Sequence, residues 1–133
     1  DENDGDTELH AAADWFTENL GPDVPWHFTA FHPDFKMLGQ RRTPETTLKR
    51  ARTIARSKGL HHVYTGNVHD VAGGSTWCPD CDQLLIERDW YELGEYNLTL
   101  NRCPRCDTEI AGRFNEHPGT WGRRRKPIRI SGR

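Results

Sequence analysis

The chain has four cysteines, and they fall in two matched pairs, Cys78-Pro79-Asp80-Cys81 and Cys103-Pro104-Arg105-Cys106. Twenty-one residues separate Cys81 from Cys103, close to the spacing at which two C-x-x-C turns converge on one zinc ion. Each turn offers two thiolates to one side of a tetrahedral centre. Two local dithiols or disulfides are the competing reading of the same pairs. Asp82 and Asp107 follow the second cysteine of each pair, where a metal knuckle turns through a positive φ that aspartate tolerates better than most residues. Strand-like stretches flank the knuckles: Leu84-Leu85-Ile86, Asn97-Leu98-Thr99-Leu100 and Glu109-Ile110-Ala111. The expectation is a four-cysteine zinc ribbon over residues 73–114. So small a sheet buries little apolar surface, and the metal supplies much of its folding free energy.

Upstream the pattern changes. From Glu8 to Leu20 the residues Leu9, Ala12, Ala13, Phe16 and Leu20 recur at helical spacing, with Thr7 as the expected N-cap and Gly21-Pro22 as the stop. Val24 to Phe31 reads as a strand. Thr43-Pro44 opens a second helix whose apolar face is Leu48, Ala51, Ile54 and Ala55, closed by Gly59. His61 to Thr65 reads as a second strand. Helix, strand, helix, strand with short connections is a piece of a parallel α/β sheet. Parallel sheets are covered on both faces, so residues 1–72 read as the late part of a barrel or open sheet. The chain begins at Asp1 rather than methionine, which fits the same expectation of a longer polypeptide.

Charge is distributed unevenly. Residues 1–35 carry nine carboxylates and no lysine or arginine, while residues 113–133 carry seven basic side chains against one acid, Glu116. The tail 115–133 is therefore basic, and Trp121 beside Arg123-Arg124-Arg125-Lys126 offers a stacking surface and charge for nucleic acid. A solvated tail lying over the acidic third is the plainer reading. No apolar run reaches membrane-span length and no signal segment is present. C-x-x-C pairs without a secretory signal point to a reducing, cytoplasmic compartment.

The run Pro25-Trp26-His27-Phe28-Thr29-Ala30-Phe31-His32-Pro33-Asp34-Phe35-Lys36-Met37 resembles the P-x-H-F-x-x-F-x-P-D-x-K-M block of the AmmeMemoRadiSam-system radical SAM enzymes, relatives of the pyruvate formate-lyase activating enzymes. Thr43-Pro44-x-x-Thr47-Leu48-x-x-Ala51 and Val63-Tyr64-x-Gly66-Asn67-Val68 are similar to the next two blocks. Asn3-Asp4-Gly5-Asp6, the paired cysteines and Gly112-Arg113-Phe114 also match that pattern. The resemblance implies the C-terminal piece of a partial (β/α) TIM-like barrel followed by the ribbon. It implies an activity that cleaves S-adenosylmethionine reductively at a [4Fe-4S] cluster, with His32 and Asn67 as cofactor-binding residues. The partner implied is the remainder of the barrel, or a companion subunit.

The family holds its cluster with a C-x-x-x-C-x-x-C motif, which this chain lacks. All four of its cysteines belong to the C-P-x-C pairs, so the chain alone has no cluster anchor. The alternative is a non-catalytic zinc-ribbon module that binds protein or nucleic acid through its basic tail.

His27, mid-strand, reads as a buried, hydrogen-bonded histidine. Of the adjacent His61 and His62, one faces inward. His69 is a further metal candidate, although four thiolates already close a tetrahedral shell. His117 carries no assignment.

Overall fold

The computed structural model describes residues 3–119. The basic run 123–126 and Trp121, on which the expectation of a basic tail rests, lie outside the described residues. Within them the chain is mixed α/β: helices α1 (Asp6–Leu20), α2 (Glu45–Ser57) and the short α3 (Val71–Gly74), and strands β1 (Trp26–Thr29), β2 (Val63–Gly66), β3 (Thr76–Trp77), β4 (Leu84–Asp89) and β5 (Glu92–Tyr96). They form two sheets, a parallel pair β1-β2 and an antiparallel β3-β4-β5.

In the parallel unit, Trp26 pairs with Val63 and Thr29 with Gly66. Side chains alternate across a strand. Trp26, Phe28 and Val63 therefore share one face, where they join Ala13 and Phe16 of α1 and Ala55 and Leu60 of α2 and its C-terminal turn. Phe16 stacks on Trp26 with ring centroids 4.8 Å apart. The two alanines let the helices approach closely. His27 and Tyr64 occupy the opposite face, their rings 5.0 Å apart. His27 is exposed, which corrects the expectation that it is buried: no element among the described residues covers its side of β1.

The helices stop for legible reasons. After α2, Gly59 takes φ +89°, its N–H bonds to Arg56 O and Leu60 N–H bonds to Ala55 O. This is a Schellman closure at a glycine that carries no Cβ penalty. The starts differ from expectation. α1 begins one residue before Thr7, with Gly5 as its cap. Thr43 does not cap α2. Its hydroxyl accepts from Phe31 N–H at 3.0 Å while its own N–H donates to Phe31 O at 3.2 Å. These two bonds close the loop 32–42 into a ring at the C-terminal end of β1.

In the antiparallel unit, β4 pairs with both β3 and β5. The core is Leu85, Ile86, Leu98 and Ile110 packed with Cys78 and Cys103. Asn97–Leu100 and Glu109–Ala111 are not strands. They contribute isolated bridges, Thr99 to Arg102 and Arg102 to Glu109, because Leu100 turns through φ +59° and is exposed. The third strand of this sheet is instead β5, which pairs with β4 through a hairpin whose tip is Trp90-Tyr91.

Short helix α3 packs against both β2 and β4 and so joins the units. Asp70 caps it, accepting from Gly73 N–H at 3.1 Å and from the Thr65 hydroxyl at 3.0 Å. Two further contacts tie the units together: Tyr64 Oη to Thr76 Oγ1 at 3.0 Å and Arg56 Nη2 to Asp82 Oδ1 at 2.6 Å. No helix among the described residues is long and apolar enough to cross a membrane.

Candidate metal centre

Each cysteine pair sits on a tight knuckle, and the two knuckles repeat the same hydrogen bonds. In the first, Asp82 N–H donates to Cys78 O at 3.1 Å and Cys78 N–H to Gln83 O at 2.9 Å. In the second, Asp107 N–H donates to Cys103 O and Cys103 N–H to Thr108 O, both at 3.0 Å. Both turns pass through the left-handed region at the residue after the second cysteine, φ +54° at Asp82 and +61° at Asp107. That conformation folds the N–H groups back over the turn and aims both thiols of a pair the same way.

The four Sγ atoms meet in one cluster, all within 4.8 Å of one another. Cys78 Sγ lies 3.5 Å from Cys106 Sγ and Cys81 Sγ 3.6 Å from Cys103 Sγ. The contacts cross between knuckles, so neither pair acts alone. All four cysteines are free, against the disulfide reading. A metal about 2.3 Å from each of four thiolates in a tetrahedron places the sulfurs about 3.8 Å apart. The cluster matches that edge length, so these residues can hold a single metal ion such as zinc. A four-iron cluster attaches each thiolate to a different iron and spreads the sulfurs farther apart, so it does not fit here.

Without metal the cluster is crowded. Burial raises the Cys78 thiol, and burial together with the neighbouring thiols pushes Cys81 up to about 12. The Thr108 hydroxyl, 3.1 Å from Cys106 Sγ, and the Thr108 backbone hold Cys106 down to about 7. A divalent ion resolves the crowding by displacing the protons. Thr108 Oγ1 also lies 3.4 Å from Asp80 Oδ2, so its one hydroxyl proton can go to the Cys106 thiolate or across to the other knuckle.

The remaining expected site residues lie elsewhere. Asn67 directly follows β2, in the left-handed region at φ +58°. Its Nδ2 donates to Ala30 O at 3.3 Å and its carbonyl accepts from Arg42 Nη2 at 2.6 Å. Much of its hydrogen-bonding capacity is thus spent on holding the ends of the two parallel strands. His32 is exposed at the start of the loop beyond β1, at the same end of the sheet. His62 is buried and His61 pairs with Asp23 at 2.8 Å, so one of the two faces inward as expected. His69 is not part of the cysteine cluster and pairs with Asp89 at 3.1 Å.

One arrangement was not legible in the sequence. A cleft of about 370 Å³ lies between the C-terminal end of β2 and the β4-β5 hairpin, lined by His27, Asn67, His69, Arg88 and Trp90 among others. A second groove of about 490 Å³ follows β1 and is walled by Leu9 and Ala12 of α1 and Leu48 and Ala51 of α2. β1 pairs on one side, with β2.

No family profile matches the chain and no solved structure does. The chain is similar to the uncharacterized protein MJ0808 of Methanocaldococcus jannaschii, at 39% identity over 110 residues, which is 81% of this chain and 33% of that protein. The chain therefore spans about a third of the length of the curated relative it matches.

Proposed function

We propose that this chain is the C-terminal portion of a radical SAM enzyme. In this reading it supplies late β/α units of a partial barrel, one wall of the S-adenosylmethionine site and a structural zinc ribbon. The observation that carries the reading is the unfinished parallel sheet. Two parallel strands with helices on one face leave His27 and Tyr64 on the other, and a groove of mixed polar and apolar lining runs along the edge of β1 that no strand pairs with among the described residues. A preceding parallel strand, supplied by the rest of a longer polypeptide or by a companion subunit, would fill such an edge. A freestanding zinc-ribbon module has no use for this preface.

Ligands of parallel α/β folds bind at the C-terminal ends of the strands. His32 and Asn67 follow β1 and β2 at that end, which supports their assignment to the cofactor wall. In this reading Asn67 sets the strand ends through Ala30 and keeps its Oδ1 for the ligand, while His32 approaches from the loop closed by Phe31 and Thr43. The [4Fe-4S] cluster would be held outside this chain, since its four thiolates suit one ion. Bound there, the cluster would supply the electron that cleaves S-adenosylmethionine.

The test is anaerobic reconstitution of the complete reading frame with iron and sulfide, followed by reduction with S-adenosylmethionine. The expected result is 5′-deoxyadenosine, reduced roughly tenfold or more by His32→Ala. A complete frame with no C-x-x-x-C-x-x-C motif and no 5′-deoxyadenosine would contradict it.

A further inference from the structure

Arg88 of β4 is half-buried, and its guanidinium meets neutral groups: Nη1 donates to Thr76 Oγ1 at 2.6 Å and to Gly74 O at 3.4 Å, and the group lies 5.8 Å from the centre of the Tyr64 ring. No carboxylate among the described residues forms an ion pair with it. Desolvating a cation without a counter-charge is costly, and arginine's planar fork suits carboxylate and phosphate oxygens. Arg88 lines the 370 Å³ cleft, a volume within the range of small-ligand sites. The two acids that line the cleft keep their charge, but their hydrogen bonds are made to other groups and neither forms an ion pair with Arg88. Asp70 holds Gly73 N–H and the Thr65 hydroxyl, and Asp89 holds His69.

The hairpin tip adds a second, independent observation. Trp90 lines the same cleft in the left-handed region at φ +55°, a costly conformation for a bulky residue. Trp90 is 54% exposed and the adjacent Tyr91 73%, so the hairpin turn holds both aromatic side chains out toward solvent at the rim of the cleft. The cleft thus combines a guanidinium that has no ion-pair partner among the described residues with exposed aromatic side chains.

We infer that the cleft between the end of β2 and the β4-β5 hairpin binds a small anion bearing a flat ring, its phosphate or carboxylate on Arg88 and its ring on Trp90. This goes beyond the radical reading and does not depend on it.

The test is side-chain NMR on the zinc-loaded 133-residue protein, following the Arg88 Nε–H and Trp90 indole N–H signals. Adenosine monophosphate, benzoate, inorganic phosphate and adenosine are titrated separately. Adenosine monophosphate or benzoate is expected to move both signals, and which of the two binds tighter tells phosphate from carboxylate. Adenosine, without the anion, is expected to bind at least about tenfold more weakly than its monophosphate. Arg88→Gln is expected to weaken anion binding roughly ten- to a hundredfold. Because Arg88 also braces Thr76, Trp90→Ala at the exposed tip serves as the second variant: it is expected to weaken the ring-bearing anions and leave inorganic phosphate unchanged. No movement of either signal with any probe up to about 10 mM, or equal affinity for adenosine and its monophosphate, would overturn the inference.

Discussion

The two halves of this molecule solve the problem of a small core in opposite ways. The antiparallel half closes on itself. Its fully buried residues include Leu85, Ile110, Cys78 and Cys103, its two knuckles approach each other at Thr108 and Asp80, and a bound ion would stitch both ends. The parallel half stays open. Its buried cluster is Ala13, Ala55, Leu60 and Val63, padded by half-buried aromatics; one edge of β1 has no pairing strand among the described residues, and on the far face Tyr64 meets Thr76 and Arg88 while His27 stays exposed. Metal coordination would substitute for apolar area in the first. In the second nothing among the described residues does.

The largest effect expected from breaking this contrast is at the thiolates. Structural zinc in small modules contributes about 10–16 kcal/mol of apparent binding free energy. Cys103→Ser is therefore expected to abolish protection of the amides over residues 76–110 against hydrogen exchange at zinc concentrations that saturate the parent. Helical amides of α1 and α2 are expected to exchange faster than those of β4 in the parent protein. Equal protection of the two halves, lost together in the variant, would mean one cooperative unit and would erase the contrast.

A smaller effect is expected at the junction. A Cβ on Gly73 would be driven far inside van der Waals contact with Asp70 Oδ2 and Thr65 Oγ1, the hydrogen-bonded pair that steadies the capping carboxylate of α3. Gly73→Ala is expected to cost about 1–3 kcal/mol in denaturant unfolding. A neutral result would show that α3 does not couple the halves.

The smallest effect is a pH dependence. His62 is buried with Nε2 unpaired, and burial lowers its pKa below the ordinary 6.5, reinforced by His61 and opposed by Asp23. The unfolded chain takes up this proton near pH 6.5 while the folded chain resists it. The contribution of His62 is therefore complete above pH 6.5 and is lost as pH falls below that value, down to the lowered folded pKa. His62→Gln is expected to flatten that slope of unfolding free energy against pH. An unchanged slope would remove His62 from the account.

What the sequence could show depended on how local its cause was. The glycine stop at Gly59, the helical faces of α1 and α2 and the left-handed turns at Asp82 and Asp107 follow from single residues and their neighbours. So does the meeting of the four cysteines, since C-x-x-C fixes each pair. The β4-β5 hairpin did not announce itself, because Trp90-Tyr91 carries none of the Asn, Asp or Gly chemistry that marks a tight turn. Helix α3 carries Gly73-Gly74, poor helix formers that give no helical signal, and it forms because Asp70 caps it and is steadied by Thr65. Asn97–Leu100 looked like a strand by its alternation, yet Leu100 turns away to serve the second knuckle. The cleft at Arg88 required two distant segments to be brought together, which no window of sequence contains.

The account rests on one ion held by four sulfurs from two knuckles. X-ray absorption at the metal edge of the zinc-loaded protein tests this most directly. The expected shell is four sulfurs at about 2.3 Å with no nitrogen or oxygen and no metal neighbour. A shell containing light atoms, a metal–metal distance, or a protein that takes up no metal with its thiols reduced would contradict it.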